Sequence, residues 1–278
     1  MGWQAKLAHY SCVSRLGTAP IVVVHALGGR LRRDFVDIAR AGGRVVPVPS
    51  YCLTLRGHSH LGRNAPGTLL EAARLVGVDD RIVLCDPDLV FVRRPRFGWT
   101  LSGAEADYLD YEDPLVMAAA RRLGIGADAI AARGDSLRCG TPFVVPASLA
   151  EPLARAWMAA LEAFWPLRWL DQMYAFGLAT VLLGVRVRRS RFTVDNQHPH
   201  ARLRVEVVHY CQDSALWSKR RFFRHRDAAR VWSPPRGRAG TVLGEVLRQL
   251  EEAGRYFVAH SNSWPSKADR GRRVALAP

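Results

Sequence analysis

Residues 81–92 read Arg81-Ile82-Val83-Leu84-Cys85-Asp86-Pro87-Asp88-Leu89-Val90-Phe91-Val92, an apolar run broken by two acids and a proline. Residues 81–85 have the composition of a buried strand, and a buried strand that ends in two acids is unusual. In an extended segment residues two apart project to one side. Asp86 and Asp88 can therefore present both carboxylates to one ion, with Pro87 stiffening the backbone between them. Two hard oxygen ligands at the carboxyl edge of a sheet suit Mg²⁺ or Mn²⁺ bridging a diphosphate. A bare Asp-x-Asp is most often a solvated turn, and it is the apolar flanks that set this one apart.

Working outward, helix-period and strand-period segments alternate, the pattern of an α/β fold. On the N-terminal side a helix is expected over Trp3–Leu16, a strand at Ile21–Val24, a helix ending at Arg40 and a short strand at Val45–Val48. Residues 51–67 read as a loop and Thr68–Val76 as a helix. On the C-terminal side Ala106–Tyr111 looks extended and 112–138 partly helical, and 139–146 reads as a turn plus strand. A helix is expected from Ser148 with Glu151 in capping-box position, and another over Asp171–Gly184. Strands at Val185–Arg188 and Val205–Val208 and an amphipathic helix over 240–254 complete the pattern. Residues 1–255 are expected to form one domain and 256–278 a polar, basic tail.

The chain has 278 residues and a formal charge of +15, carried by three lysines and thirty-seven arginines. So lopsided a ratio discounts the charge as evidence for nucleic acid, and no nucleic-acid module is recognisable. A basic surface equally favours a phosphate-bearing substrate. The five cysteines are scattered without a CxxC pair, which indicates reduced thiols in a cytoplasmic protein rather than a disulfide framework or zinc site. No targeting segment or membrane anchor is expected.

Two further residues join the acid pair. The strand 205–208 runs into His209 much as 81–85 runs into Asp86, so the imidazole can complete a metal shell. Lys219, rare in so arginine-rich a chain, can neutralise a departing diphosphate. The pairs His58/His60 and His198/His200 sit in polar loops without acids and read as solvated. Gly28-Gly29-Arg30 reads as a turn.

Taken together, these segments resemble the hydroxyproline O-arabinosyltransferases and the related peptidyl serine α-galactosyltransferases. The resemblance rests on Trp3-Gln4-Ala5-Lys6 with Tyr10, Asn64-Ala65-Pro66, Asp86-Pro87-Asp88 with its apolar flank, Gly140-Thr141-Pro142, Trp169-Leu170-Asp171-Gln172-Met173-Tyr174, His209-Tyr210 with Lys219, and Pro234-Pro235. It implies a GT-A fold, a Rossmann-like mixed sheet flanked by helices. It also implies a UDP-sugar donor, Mn²⁺ or Mg²⁺, and retaining transfer to a hydroxyl acceptor on a peptide, glycan or small molecule. Asp86, Asp88 and His209 would be metal ligands and Lys219 a diphosphate contact. Asn64, Gly140 and Thr141 would line the donor pocket. Where the family has a helix Glu this chain has Gln172, with Asp171 one position earlier, so either would face the reacting sugar. The family also has a strand before the helix matched by Trp3–Tyr10, contributing to the nucleotide pocket. None precedes it in this sequence, so weakened folding or uridine binding is expected. Hydrolysis of a nucleotide sugar or phosphate ester on the same metal site is the rival enzymatic expectation, and a basic nucleic-acid-binding protein the non-enzymatic one.

Overall fold

The computed structural model describes residues 2–26, 31–195, 198–210, 214–223 and 228–262. The turn expected at 28–30, Cys211 and the tail beyond 262 lie outside these. Helix α1 (Gly2–Leu16) leads into β1 (Ile21–Ala26), α2 (Arg33–Arg40) and β2 (Arg44–Pro49). β1 and β2 pair in parallel, Ile21 opposite Arg44 through Ala26 opposite Pro49, so β1–α2–β2 is one crossover unit. Helix α3 (Asn64–Ala73) then carries the chain to β3 (Arg81–Leu84).

From β3 the chain enters β4 (Leu89–Phe91), then β5 (Ser102–Glu105), α4 (Pro114–Arg122) and α5 (Ala127–Ala131). Next come β6 (Cys139–Pro146), α6 (Ala147–Glu162), α7 (Asp171–Leu182), β7 (Arg188–Arg189), β8 (Val194–Asp195), β9 (Val207–His209) and α8 (Val242–Asn262). Strands β3-β6-β5-β7 form one mixed sheet and β4-β9-β8 another. The whole is a single α/β domain with mixed sheets and flanking helices. Among the described residues β1 hydrogen-bonds as a strand only to β2, and β3 only to β6, so each keeps an unpaired edge. α3 packs against both strands.

The main core lies between β6 and helices α6 and α7. Phe143 stacks on Phe176 at 4.0 Å between ring centres, and Trp157 meets both edge-on. Full burial of such side chains stabilises by roughly 2–3 kcal/mol each. A second core gathers Trp3, Leu7, Val90, Val208, Tyr210, Trp217, Leu247 and Leu250 under α1 and α8. This one supports the candidate site.

Several local expectations are corrected. α3 starts at Asn64 and ends at Ala73 rather than spanning Thr68–Val76, because Pro66 is accommodated in its first turn. Residues 106–111 are a turn, closed by the Leu109 N–H on the Ala106 carbonyl, and the strand lies earlier, at β5. Glu151 caps nothing. α6 begins straight after Pro146, which places Ser148 inside the helix and leaves Glu151 to pair with Arg155 at 2.7 Å. β7 is two residues long, and β9 is displaced to 207–209 so that His209 belongs to the strand. Helix α8 continues past residue 255 to Asn262, held by Phe257 and Tyr256 against α1 and α2.

Candidate metal and anion site

Asp86-Pro87-Asp88 is not extended. It is the turn between β3 and β4, closed by the Leu89 N–H on the Asp86 carbonyl at 3.2 Å, and through it the chain leaves the four-stranded sheet for the three-stranded one. The acids converge because the backbone bends, not because they alternate. β4 pairs antiparallel with β9, with Leu89 opposite His209, so the imidazole stands at the level of the turn that carries Asp88. His209 Nε2 lies 3.2 Å from Asp88 Oδ1, and the Tyr210 N–H donates to the Asp88 carbonyl at 3.2 Å. One ligand atom from each of Asp86, Asp88 and His209 falls within 4.8 Å of the others.

Two neighbours complete the cluster. The Lys219 ammonium pairs with Asp88 Oδ2, with only 14% of its side chain exposed, so the expected phosphate contact is not a solvated loop charge. Thr141 Oγ1 donates to Asp86 Oδ2 at 2.8 Å. It can do so because β6 bulges here: Phe143 pairs with Gly103 and Gly140 with Ala104, leaving Thr141 and Pro142 without partners on β5. Beneath Lys219, Trp3, Tyr210, Trp217 and Phe222 pack with ring centres about 6 Å apart, and the Trp3 indole N–H donates to the Phe222 carbonyl. Residue 3 thus anchors the segment that carries Lys219.

Burial, followed by the charge of Asp88, holds the Asp86 carboxyl above the usual carboxylate range, against His209, Thr141 and Lys219. Burial would also raise Asp88. There the hydrogen bonds and charges of His209 and Lys219 outweigh it, and the group stays well below the usual range. For His209 burial disfavours the cation, but Asp88 and then Asp86 reverse this and lift it above its ordinary value. Two carboxylate oxygens and an imidazole nitrogen converging on one point fit a divalent cation such as Mn²⁺ or Mg²⁺.

The other expected residues lie at increasing remove. A Cβ on Gly140 would sit 2.9 Å from Met173 Cε, so glycine there lets the start of α7 approach the Thr141 bulge. Gln172 lies against Gly62, and its carbonyl accepts from the Trp157 indole at 2.6 Å. Asp171 is fully buried rather than a helix-surface acid. Its carboxylate accepts from the Arg168 N–H at 2.6 Å and from the Arg168 guanidinium, which also holds Asp113. Asn64 Oδ1 accepts from the Tyr51 N–H at 2.9 Å, fixing the loop before α3. His60 is not solvated either: Nε2 lies 3.1 Å from the Arg168 carbonyl, and His58 packs 4.4 Å from Trp165. His198 and His200 are exposed as expected.

Sequence reading missed Arg168, which directly precedes the Trp169–Tyr174 segment, and the direct bond from Thr141 to Asp86. Comparison with protein-family models, with characterised proteins and with solved structures finds no match to this chain.

Proposed function

We propose that the chain is a metal-dependent glycosyltransferase of the GT-A type that moves a sugar from a UDP-sugar to a hydroxyl acceptor with retention of anomeric configuration. The observation that carries this reading is the convergence of Asp86, Asp88 and His209 with Lys219 at one sheet-edge turn. Asp86, Asp88 and His209 would hold Mn²⁺ or Mg²⁺, which when bound supplies positive charge to a diphosphate. Lys219, carried beside Asp88, adds a cation where negative charge develops on the leaving group. Thr141 orients Asp86, and its bulge with Gly140 would line the donor pocket together with Asn64. Arg168 already occupies the Asp171 carboxylate, which favours Gln172 as the group facing the reacting sugar. The unpaired thiols Cys12, Cys52, Cys85 and Cys139 are consistent with a cytoplasmic setting, and no helix among the described residues is long and apolar enough to cross a membrane.

The test is thermal stability with UDP, with Mn²⁺, with both, and with both in Asp88→Ala. Binding at a hundredfold excess over Kd stabilises by about 2.7 kcal/mol, roughly 5 °C or more for a chain of this size. A shift that needs both ligands and is lost in the variant supports the reading, and no shift under any condition sinks it. Release of free sugar at the same rate with or without acceptor would indicate hydrolysis instead.

A further inference from the structure

At the other end of β3 from the acid pair, the segment 93–101 runs beside β7 and the residues after it. The Arg188 N–H donates to the Leu101 carbonyl, and Phe97 packs 5.5 Å from Phe192. Arg93, Arg94, Arg96, Arg186, Arg188 and Arg191 lie on these two adjoining segments and are all exposed. Arg93, whose N–H donates to the Glu206 carbonyl, is also near enough to the Glu206 carboxylate for their charges to interact. Buried Val187 separates exposed Arg186 from exposed Arg188 where the chain enters β7. Among the described residues none of the six has a carboxylate within 4.0 Å. Helix-surface arginines in the same chain behave otherwise: Arg74, Arg155 and Arg255 each pair with a glutamate one turn away. The basic surface also carries Trp99, 66% exposed, whose ring stacks on the Arg81 guanidinium at 4.2 Å.

Charge on a sheet edge discourages edge-to-edge pairing. That explains arginines on β7 but not Arg93, Arg94, Arg96 or an exposed indole on the neighbouring loop. From this surface we infer that the face built from residues 93–99 and 186–191 docks the protein peripherally on an anionic lipid bilayer. Guanidinium forks fit phosphate and carboxylate headgroups, and an indole with one face covered suits the headgroup layer. A single exposed aromatic ring is a poor platform for successive bases, which disfavours nucleic acid. Arg81 starts β3 and Asp86 follows its end, about 17 Å along a strand of five steps. A docked molecule would thus turn the Asp86-Asp88 turn away from the bilayer, toward solutes in the aqueous phase.

The experiment is co-sedimentation of the full chain with vesicles of phosphatidylcholine alone and of phosphatidylcholine with about one-third phosphatidylserine. The expected result is binding to the anionic vesicles only, falling steeply as salt rises. Each arginine near such a surface contributes roughly fivefold, so Arg93→Glu/Arg94→Glu/Arg96→Glu is expected to weaken binding by a hundredfold or more. Trp99→Ala should weaken it less, and more visibly at high salt. The same charge change at Arg74, Arg155 and Arg255 serves as the control and should cost far less. All of these side chains are exposed, and melting curves verify that each variant folds. Equal sedimentation of the 93/94/96 and control variants would overturn the assignment. So would binding to random duplex DNA but not to the anionic vesicles.

Discussion

Replacing Lys219 by Met keeps the length of the side chain and deletes its charge. Asp86 and Asp88 would then share a buried turn with His209 as the remaining cation of the cluster. Removing one partner of a fully buried ion pair costs about 3–5 kcal/mol. Here the Lys219 and Asp88 side chains retain 14% and 13% exposure, and His209 still holds the other Asp88 oxygen. The expected loss therefore falls just below that range, at about 2–3 kcal/mol. It is read by urea unfolding at pH 7 in EDTA for the wild type, Lys219→Met, Asp88→Asn and the double variant. Once Asp88 is neutral, removing Lys219 no longer strands a charge, so the double variant should recover at least about 1.5 kcal/mol relative to additivity.

The same variant has a signature in pH. Because the folded protein raises the Asp86 carboxyl, ionised Asp86 costs stability above its folded pKa, and that cost shrinks as pH falls below the folded pKa and is gone below the unfolded one. Lys219→Met intensifies this cost, so its deficit should shrink as the pH is lowered toward the ordinary carboxylate range. A loss under about 0.5 kcal/mol, or additive single changes, would refute the claim that Lys219 balances the charge of the acid turn.

Three further outcomes test the neighbourhood. Thr141→Val leaves Asp86 Oδ2 without its 2.8 Å donor and should weaken Mn²⁺ binding about tenfold by electron paramagnetic resonance, while Thr141→Ser should restore it. Asp171→Ala strips the Arg168 N–H and guanidinium of their partner and should cost about 2–3 kcal/mol in urea, whereas Gln172→Ala should lower turnover with little change in Tm. His9 is fully buried beside Tyr256, Phe257 and His260 with neither ring nitrogen bonded. Its pKa falls from 6.5 to about 4, chiefly through burial. Its contribution to stability is therefore fully present above pH 6.5 and is lost toward pH 4, on the order of 2 kcal/mol. His9→Leu should flatten that part of the curve, and an unchanged slope would show that another group titrates there.

Much of the fold was legible because its strands and helices carry their own periodicity. The β-branched run at 21–24, the apolar stretch 81–84 and the Leu153/Trp157/Leu161 face of α6 each announce an element without tertiary help. Errors arose where tertiary contacts decide. β7 and β8 are two residues long and exist only by pairing with β5 and β9, too short for any period to show. Glu151 had the spacing of a capping box, but the register of the helix start, fixed by Pro146, turned it to the surface.

The site was legible in composition and not in geometry. Asp86, Asp88, His209 and Lys219 are unusual residues in their segments, and the structure brings all four together. The reason lies in pairing that no local pattern encodes. The antiparallel register of β4 on β9 sets His209 opposite Leu89, and the β6 bulge turns Thr141 toward Asp86. The reverse holds for Asp171, to which the family resemblance gave a role at the sugar and whose contacts tie it to Arg168.

The unpaired edges of β1 and β3 connect fold and site in one further respect. Val22, Val23 and Val24 form as apolar a strand as any in the chain, yet none is fully buried, whereas strands of parallel sheets are normally covered on both faces. An extended segment paired along either edge would satisfy a row of backbone donors and acceptors. It would also stiffen the base of the Asp86-Asp88 turn, which begins where β3 ends. A peptide that pairs with the β3 edge is therefore expected to raise Tm and, on the proposed function, the affinity for UDP together. A rise in Tm alone would mean that the edge contributes to folding and not to the site.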